Sequence, residues 1–212
     1  MPAGRRPARA AGRRAIALGL GAALLAPLQA AAAPFSVTVQ GAGGAALADA
    51  VVAVFVEGTP PRASAPSPVE MGQRDKRFVP AVLAVQTGTS VNFPNHDTVR
   101  HHVYSFSLIK TFEIKLYVGT PAAPVVFDQP GIGVIGCNIH DQMAGWVVVV
   151  PTPWYGKTVA DGVLRLPNVP AGSYRLRSWH ATLAVGAPAA DQALEVTAAA
   201  QRLTLKLGGA TP

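Results

Sequence analysis

The chain has 212 residues, with 18 Lys and Arg, 11 Asp and Glu, and a formal net charge of +7. Five of the arginines and none of the acids lie within residues 1–33, so the remainder holds 13 bases against 11 acids, a net charge of +2. This near balance, with no Lys/Arg run carrying interleaved aromatic residues, excludes a nucleic-acid-binding function based on positive charge. The single Cys excludes an intramolecular disulfide.

The first 33 residues have the three parts of a cleaved export signal. An arginine-rich start precedes the apolar stretch IALGLGAALLAPLQ at 16–29, and Ala31-Ala32-Ala33 resembles a cleavage site. The apolar stretch is too short and too Pro-interrupted for a membrane span, so we expect no stable span after the signal is removed. The protein is therefore predicted to be periplasmic. The pair Arg13-Arg14 leaves twin-arginine and general export both open.

The mature chain is predicted to be all-β. Its apolar runs are short, rich in Val and broken by Gly and Pro, and no segment keeps a helical period over three turns. Such a pattern is typical of one or two β-sandwiches. The predicted strands lie at 35–39, 50–56, 82–88, 90–93, 101–107, 125–127, 133–136, 146–151, 163–166, 173–179, 193–196 and 202–207.

Two separated segments carry the pattern of one small sandwich. Residues 35–57 read as a strand, a Gly-rich turn and an A-x-V-x-V strand, while T-x-x-D-G-x-x-x-L begins at Thr158 and V-P-x-G-x-Y-x-L at Val169. Asp161-Gly162 and Ala171-Gly172 fall where hairpin turns need a positive φ. Together the segments resemble the carboxypeptidase regulatory-like (transthyretin-like) domains. This resemblance implies an Ig-/transthyretin-like β-sandwich.

The segment between these halves is then expected to be an inserted domain. We predict a discontinuous sandwich from 34–60 and 153–212 and an inserted domain at 61–152, joined by linkers at 59–68 and 151–156. Insertion is tolerated where the ends of the inserted domain lie close together. A tandem arrangement, with 34–152 as one domain and a small appended sheet, is the alternative.

The stretch GCNIHDQM at 136–143 holds Cys137, His140 and Met143 at three-residue intervals. A thiolate, two imidazoles and a weak axial thioether are the ligands of blue-copper electron-transfer sites. The second imidazole has to come from elsewhere, and the segment NFPNHDTVRHHVYSFS supplies three histidines, at 96, 101 and 102. A free thiol oxidises or pairs between chains in an oxidising compartment. A metal-bound thiolate avoids this, and a buried inert Cys is the simpler alternative.

Residues 79–150 resemble a cupredoxin domain of the plastocyanin/amicyanin type. The resemblance rests on T-G-T-S-V-N-F, N-x-D-x-x-x-H-x-V-Y-S, F-E-I-K-L-Y, V-x-F-x-x-P-G and C-x-x-H-x-x-M before a Val-rich strand. It implies a Greek-key cupredoxin β-sandwich in which His101, Cys137, His140 and Met143 bind one copper ion that cycles between Cu(II) and Cu(I). Zinc is the competing metal, but Met is a poor zinc ligand.

Two positions depart from the cupredoxin pattern. His102 stands where the family usually has Asn, and Asp141 stands where many members have Pro. Adjacent strand residues point to opposite faces, so His102 is not expected to share an ion with His101. Asn95 and Asn138 are both candidates for a partner that contacts Cys137 from outside the ligand set, and the sequence does not choose between them.

Three functions fit these patterns. The first is a one-electron carrier between periplasmic redox proteins, with Cys137 giving the Cu–S bond, His140 the electron exit and Met143 the axial tuning. The second is copper delivery, for which Asp141, His96 and His102 would make the site labile. The third is an interaction module in which the metal is incidental.

No catalytic motif of the hydrolase, P-loop, zinc-protease or dinucleotide-binding kind is present, so no enzyme activity is predicted. Proteins of this two-part build are often labelled methylamine-utilisation proteins, an association that the resemblance alone implies.

Overall fold

The computed structural model describes residue 1 and residues 34–58, 68–184 and 186–208. Apart from Met1, the predicted export signal lies outside these residues, and so does the first predicted linker except for Pro68. None of the helices in the described part is long and apolar enough to cross a bilayer. The described residues from 34 onward belong to a single compact unit.

The described residues form seventeen strands and one 3-10 turn, Ala42–Gly44, so the prediction of an all-β fold is confirmed. The strands are β1 (Phe35–Gln40), β2 (Val51–Phe55), β3 (Val69–Glu70), β4 (Gly72–Arg74), β5 (Arg77–Val79), β6 (Val82–Gln86), β7 (Thr89–Asn92), β8 (His101–Ser107), β9 (Lys110–Tyr117), β10 (Val125–Phe127), β11 (Gly131–Gly136), β12 (Ala144–Val150), β13 (Trp154–Lys157), β14 (Val163–Leu166), β15 (Gly172–Trp179), β16 (Ala190–Val196) and β17 (Gln201–Lys206).

The strands form four main sheets and the small hairpin β4–β5. The first sheet has the order β14-β1-β17 and the second β13-β2-β15-β16, while the third has the order β6-β12-β11-β8-β9 and the fourth β10-β7-β3. Most neighbours are antiparallel, but β1 with β17, β12 with β6 and β3 with β7 are parallel. In this pairing β1 and β2 join only strands that follow residue 153, and the intervening strands pair among themselves.

Three apolar cores stack the four sheets in order. One core lies between the first and second sheets, and another between the third and fourth. A smaller core joins the second sheet to the third, where Trp146 and Trp179 lie with ring centroids 6.2 Å apart. The two β-sandwiches therefore share a packed interface and do not meet only through the chain that connects them.

The Val-rich runs become strands that are buried on both faces. Side chains alternate between the two faces of a strand. In β2, Val52 packs into the first core while Val51 packs into the shared interface; in β12, Val147 packs into the third-fourth core while Val148 packs into the interface. A continuous apolar run is the expected sequence of such a doubly covered strand.

Several short elements differ from the sequence expectation. The second predicted linker, 151–156, is wrong in its last part, because β13 pairs with β2 along Trp154–Lys157. The hairpin β4–β5 has no Gly or Asn in its two-residue turn, in which Asp75 and Lys76 have φ values of 52° and 56°. The turn therefore lacks the Gly and Asn residues by which such a hairpin is usually recognised in a sequence.

Replacing Trp179 with Ala tests the interface between the sandwiches. Trp179 is 5% exposed and contacts the core that joins the second and third sheets. We expect Trp179→Ala to lower the free energy of unfolding by about 3–5 kcal/mol, as for other buried Trp truncations. Urea unfolding followed by circular dichroism measures it. Val159→Ala, at a side chain 58% exposed, is the control with a change within about 0.5 kcal/mol. An equally small change for Trp179→Ala would contradict a packed interface.

Candidate metal centre

The loop from Cys137 to Met143 consists of two consecutive turns. The amide of His140 lies 3.5 Å from the carbonyl oxygen of Cys137, and the amide of Met143 donates to the carbonyl oxygen of His140 at 2.9 Å. The amide of Cys137 closes the loop by donating to the carbonyl oxygen of Met143 at 3.2 Å. The three-residue spacing thus sets each candidate ligand at the end of a turn, between the paired strands β11 and β12.

His101 reaches this loop from the neighbouring strand. It is the first residue of β8, which pairs with β11 in the third sheet, and its side chain is fully buried. Cys137 directly follows β11 and is 4% exposed. The ends of two adjacent strands therefore bring these two side chains together from distant parts of the sequence.

Three donor atoms form a compact triangle. The two histidine Nδ1 atoms are 3.2 Å apart, and the Sγ atom of Cys137 lies 3.6 Å from Nδ1 of His140 and 4.0 Å from Nδ1 of His101. A point equidistant from these atoms lies about 2.1 Å from each, close to the distances of about 2.0–2.1 Å to nitrogen and about 2.3 Å to sulfur at which proteins hold zinc. The residues present therefore fit a single metal ion of this size.

Met143 belongs to the same site by position. It is 2% exposed and lies in the same apolar core as Cys137. Its amide donates to His140 within the second turn, and its carbonyl oxygen accepts the bond from Cys137 that closes the loop. Its role as an axial thioether ligand stays a prediction.

Asp97 orients His101 from outside the triangle. An Oδ2 atom of Asp97 lies 2.7 Å from Nε2 of His101, the ring nitrogen that faces away from Cys137. The side chain of Asp97 also accepts hydrogen bonds from the turn amides of Asp75 and Lys76 at 2.8 and 3.0 Å. Metal-binding histidines commonly donate their second N–H to a carboxylate, which fixes the tautomer and the ring orientation.

These contacts also set the charge of Asp97. Burial raises its pKa, but hydrogen bonds from the Lys76 amide, from His101 and from the Asp75 amide, with the charge of His101, lower the pKa to about 2. Asp97 is therefore an ionised acceptor at neutral pH. Its role is not predicted from the sequence, although its place four residues before His101 in N-x-D-x-x-x-H was the available signal.

Asn95 stabilises the loop that precedes His101 and not the loop from Cys137 to Met143. Its side-chain amide donates to the carbonyl oxygens of Val99 and Tyr117, both at 2.9 Å, and its Oδ1 atom accepts from the amide of Asp97. Asn138 is exposed. Neither residue makes a side-chain hydrogen bond to Cys137 within the described parts of the chain.

Half-buried Tyr117, which is paired with His101 across strands β8 and β9, forms a polar cluster next to the site. The Tyr117 hydroxyl donates to the carbonyl oxygen of Phe93 at 2.5 Å and contacts the side-chain amide of Gln73, which is fully buried. Burial raises the pKa of Tyr117 to about 12, against a smaller opposing effect of Gln73 and with a contribution from the charge of Cys137. Tyr117 is therefore a neutral donor here.

The other histidines lie outside the donor triangle. His96 is exposed, and His180 contacts Thr182 and the carbonyl oxygen of Ala48 in the other sandwich. His102 is 6% exposed and bonds Glu113 at 2.9 Å through Nε2. Its Nδ1 atom is buried without a partner among the described residues. His102 is thus tied to the edge strand β9.

Comparison with known proteins gives matches to solved structures alone. No family model matches the chain, and no curated protein matches it. The copper-containing nitrite reductase of Thermus scotoductus SA-01 is 26% identical with a TM-score of 0.38, over 43% of this chain and 24% of that one. The chain thus spans about a quarter of that relative.

Two smaller proteins match along almost their whole length. The purple cupredoxin of Nitrosopumilus maritimus is 21% identical with a TM-score of 0.35, over 40% of this chain and 100% of that one. A reduced amicyanin variant is 18% identical with a TM-score of 0.37, over 48% of this chain and 99% of that one. Each match covers less than half of the present chain.

The geometry predicts the tautomer of His101 in the metal-free protein. The ionised carboxylate of Asp97 can only accept a hydrogen bond, and its partner is Nε2 of His101. We therefore expect a proton on Nε2 of His101 and a lone pair on its Nδ1, to which Nδ1–H of His140 donates. Long-range ¹H–¹⁵N NMR correlations of the imidazole rings measure this. A proton on Nδ1 of His101 would contradict the assignment, and Asp97→Ala is expected to remove the preference.

Proposed function

We propose that the protein is an exported mononuclear copper protein that carries single electrons between periplasmic redox proteins. The observation that supports this most directly is the donor triangle of His101, Cys137 and His140, whose dimensions suit one metal ion. The predicted export signal supports the periplasmic location. The absence of enzyme activity and the methylamine-utilisation label stay predictions from the sequence.

Copper suits the donor set better than zinc. A thiolate with two imidazoles serves either metal, but a nearby thioether is typical of copper sites and rare at zinc. We therefore propose Met143 as the weak axial ligand. A bound copper ion would supply the one-electron Cu(II)/Cu(I) couple. Cys137 is the proposed thiolate ligand, and Asp97 holds His101 in the tautomer that leaves Nδ1 free to bind.

His140 is the proposed route for electrons. His101 and Cys137 are buried, whereas His140 is half-buried and both its chain neighbours, Ile139 and Asp141, are exposed. The core between the two sandwiches involves other parts of the third sheet and leaves this loop uncovered. An accessible imidazole edge on a buried site favours electron exchange over storage of the ion.

We also propose that residues 61–152 form a cupredoxin-like domain inserted into a regulatory-like sandwich made of 34–60 and 153–212. Strand pairing supports this layout, because β1 and β2 complete sheets with β13 to β17, and β3 to β12 pair among themselves. The tandem alternative would keep β1 and β2 with the strands that follow them.

An absorption and EPR spectrum after addition of Cu(II) tests the proposed function. We expect an intense visible thiolate-to-copper band that disappears in Cys137→Ser, together with reversible reduction and oxidation. Copper bound without such a band, or reduced on contact without reoxidation, would contradict the electron-carrier function and favour copper delivery.

Asp97→Asn is expected to weaken Cu(II) binding. Loss of a carboxylate behind a metal-binding histidine typically lowers metal affinity by about 10–100-fold. Competition with a chelator of known affinity measures the change. Asp141→Asn removes the same charge from an exposed neighbour of His140 and is the matched control, with an expected change of less than about threefold because solvent-exposed charges interact weakly in water. Equal losses in both variants would contradict the positioning role of Asp97.

A further inference from the structure

The outer face of the first sheet is polar, positively charged and open. Along β1 the side chains of Phe35, Val37 and Val39 enter the core, which leaves Ser36, Thr38 and Gln40 on the outside. On the neighbouring strands the outward positions hold three exposed bases, together with Val163 and Thr204. These bases are Arg165 on β14 and Arg202 and Lys206 on β17.

Two of the bases lie in one row across the sheet. Ser36 is paired with Arg165 on one side and with Arg202 on the other. Neighbouring strands are about 4.8 Å apart, so the two arginine backbones are separated by about 10 Å with a hydroxyl between them. Both guanidinium groups can reach inward over Ser36, and guanidinium groups bind phosphate oxygens in a bidentate manner.

Nothing in the described part of the chain neutralises this face. The outward positions of β1, β14 and β17 contain no Asp or Glu. Of the described residues, no acid forms a salt bridge with Arg165, Arg202 or Lys206, whereas Lys110, Lys157 and Arg177 each have one. Asp161, in the turn before β14, accepts a hydrogen bond from the amide of Val163.

We infer that this face binds the anionic headgroups of a phospholipid membrane. The outward positions hold no aromatic side chain, so the face lacks the stacking platforms that nucleic-acid bases use. Three bases in one plane suit an extended anionic surface, to which each Lys or Arg adds about 1 kcal/mol of attraction.

The position of the face in the molecule agrees with such an orientation. The candidate metal centre lies at one end of the third sheet, which two cores and the second sheet separate from the first sheet. A protein bound through the first sheet would keep the metal loop free. Such membrane binding would be independent of the identity of the metal.

Vesicle binding of the metal-free chain from residue 34 onward, which contains all the described strands, tests the inference. We expect sedimentation with vesicles that mix phosphatidylglycerol and phosphatidylcholine, none with phosphatidylcholine alone, and weakening by salt. Arg165→Gln with Arg202→Gln should lower the partition constant about 30-fold.

A matched variant separates the face from the overall charge. Arg74→Gln with Arg77→Gln removes two exposed arginines from the hairpin β4–β5 and should bind like the parent protein. Arg165→Lys with Arg202→Lys keeps the charge, should keep vesicle binding, and serves if the Gln variant is poorly folded by circular dichroism.

Three outcomes would overturn the inference. They are binding that does not require phosphatidylglycerol, equal losses in the two Gln variants, and binding of inorganic phosphate at Arg165 and Arg202 without binding of vesicles. The last outcome would indicate a site for free phosphate.

Discussion

The hydrogen bond that Nε2–H of His101 donates to the carboxylate of Asp97 is the contact on which the geometry of the site depends. It fixes which ring nitrogen faces Cys137, and it exists because the turn amides of Asp75 and Lys76 hold the carboxylate in place. The hairpin β4–β5 thus acts on the donor triangle without contributing a donor. An element with no chemistry of its own becomes part of the centre through two backbone amides.

The strands that carry the site also depend on packing against sheets that are distant in sequence. The third sheet is covered on both faces, by the fourth sheet on one side and by the second on the other. Because β12 is buried on both faces, the strand that follows the loop of Cys137 and His140 cannot shift without disturbing two cores. Packing of the second sheet therefore restrains the strand that follows the loop, while the loop itself stays exposed.

Much of this architecture is readable from the sequence, and some of it is not. The Val-rich runs and the three-residue spacing of Cys137, His140 and Met143 predict the strands and the loop, because they are local patterns. The role of Asp97 is not predictable, since its partner amides lie 22 and 21 residues earlier in a hairpin whose turn lacks Gly and Asn. The stabilising role of Asn95 is not predictable either, because an amide side chain gives no sign of which carbonyl groups will surround it.

The gathering of the donors has a thermodynamic consequence. His101 and the loop of Cys137 and His140 are separated by more than thirty residues, so the unfolded chain holds no such triangle. A ligand that binds only the folded state stabilises it by an amount that grows with the logarithm of the free ligand concentration. The ligands must also be deprotonated to bind. A metal ion bound at this triangle would therefore couple resistance to unfolding to both the metal concentration and the pH of the surroundings.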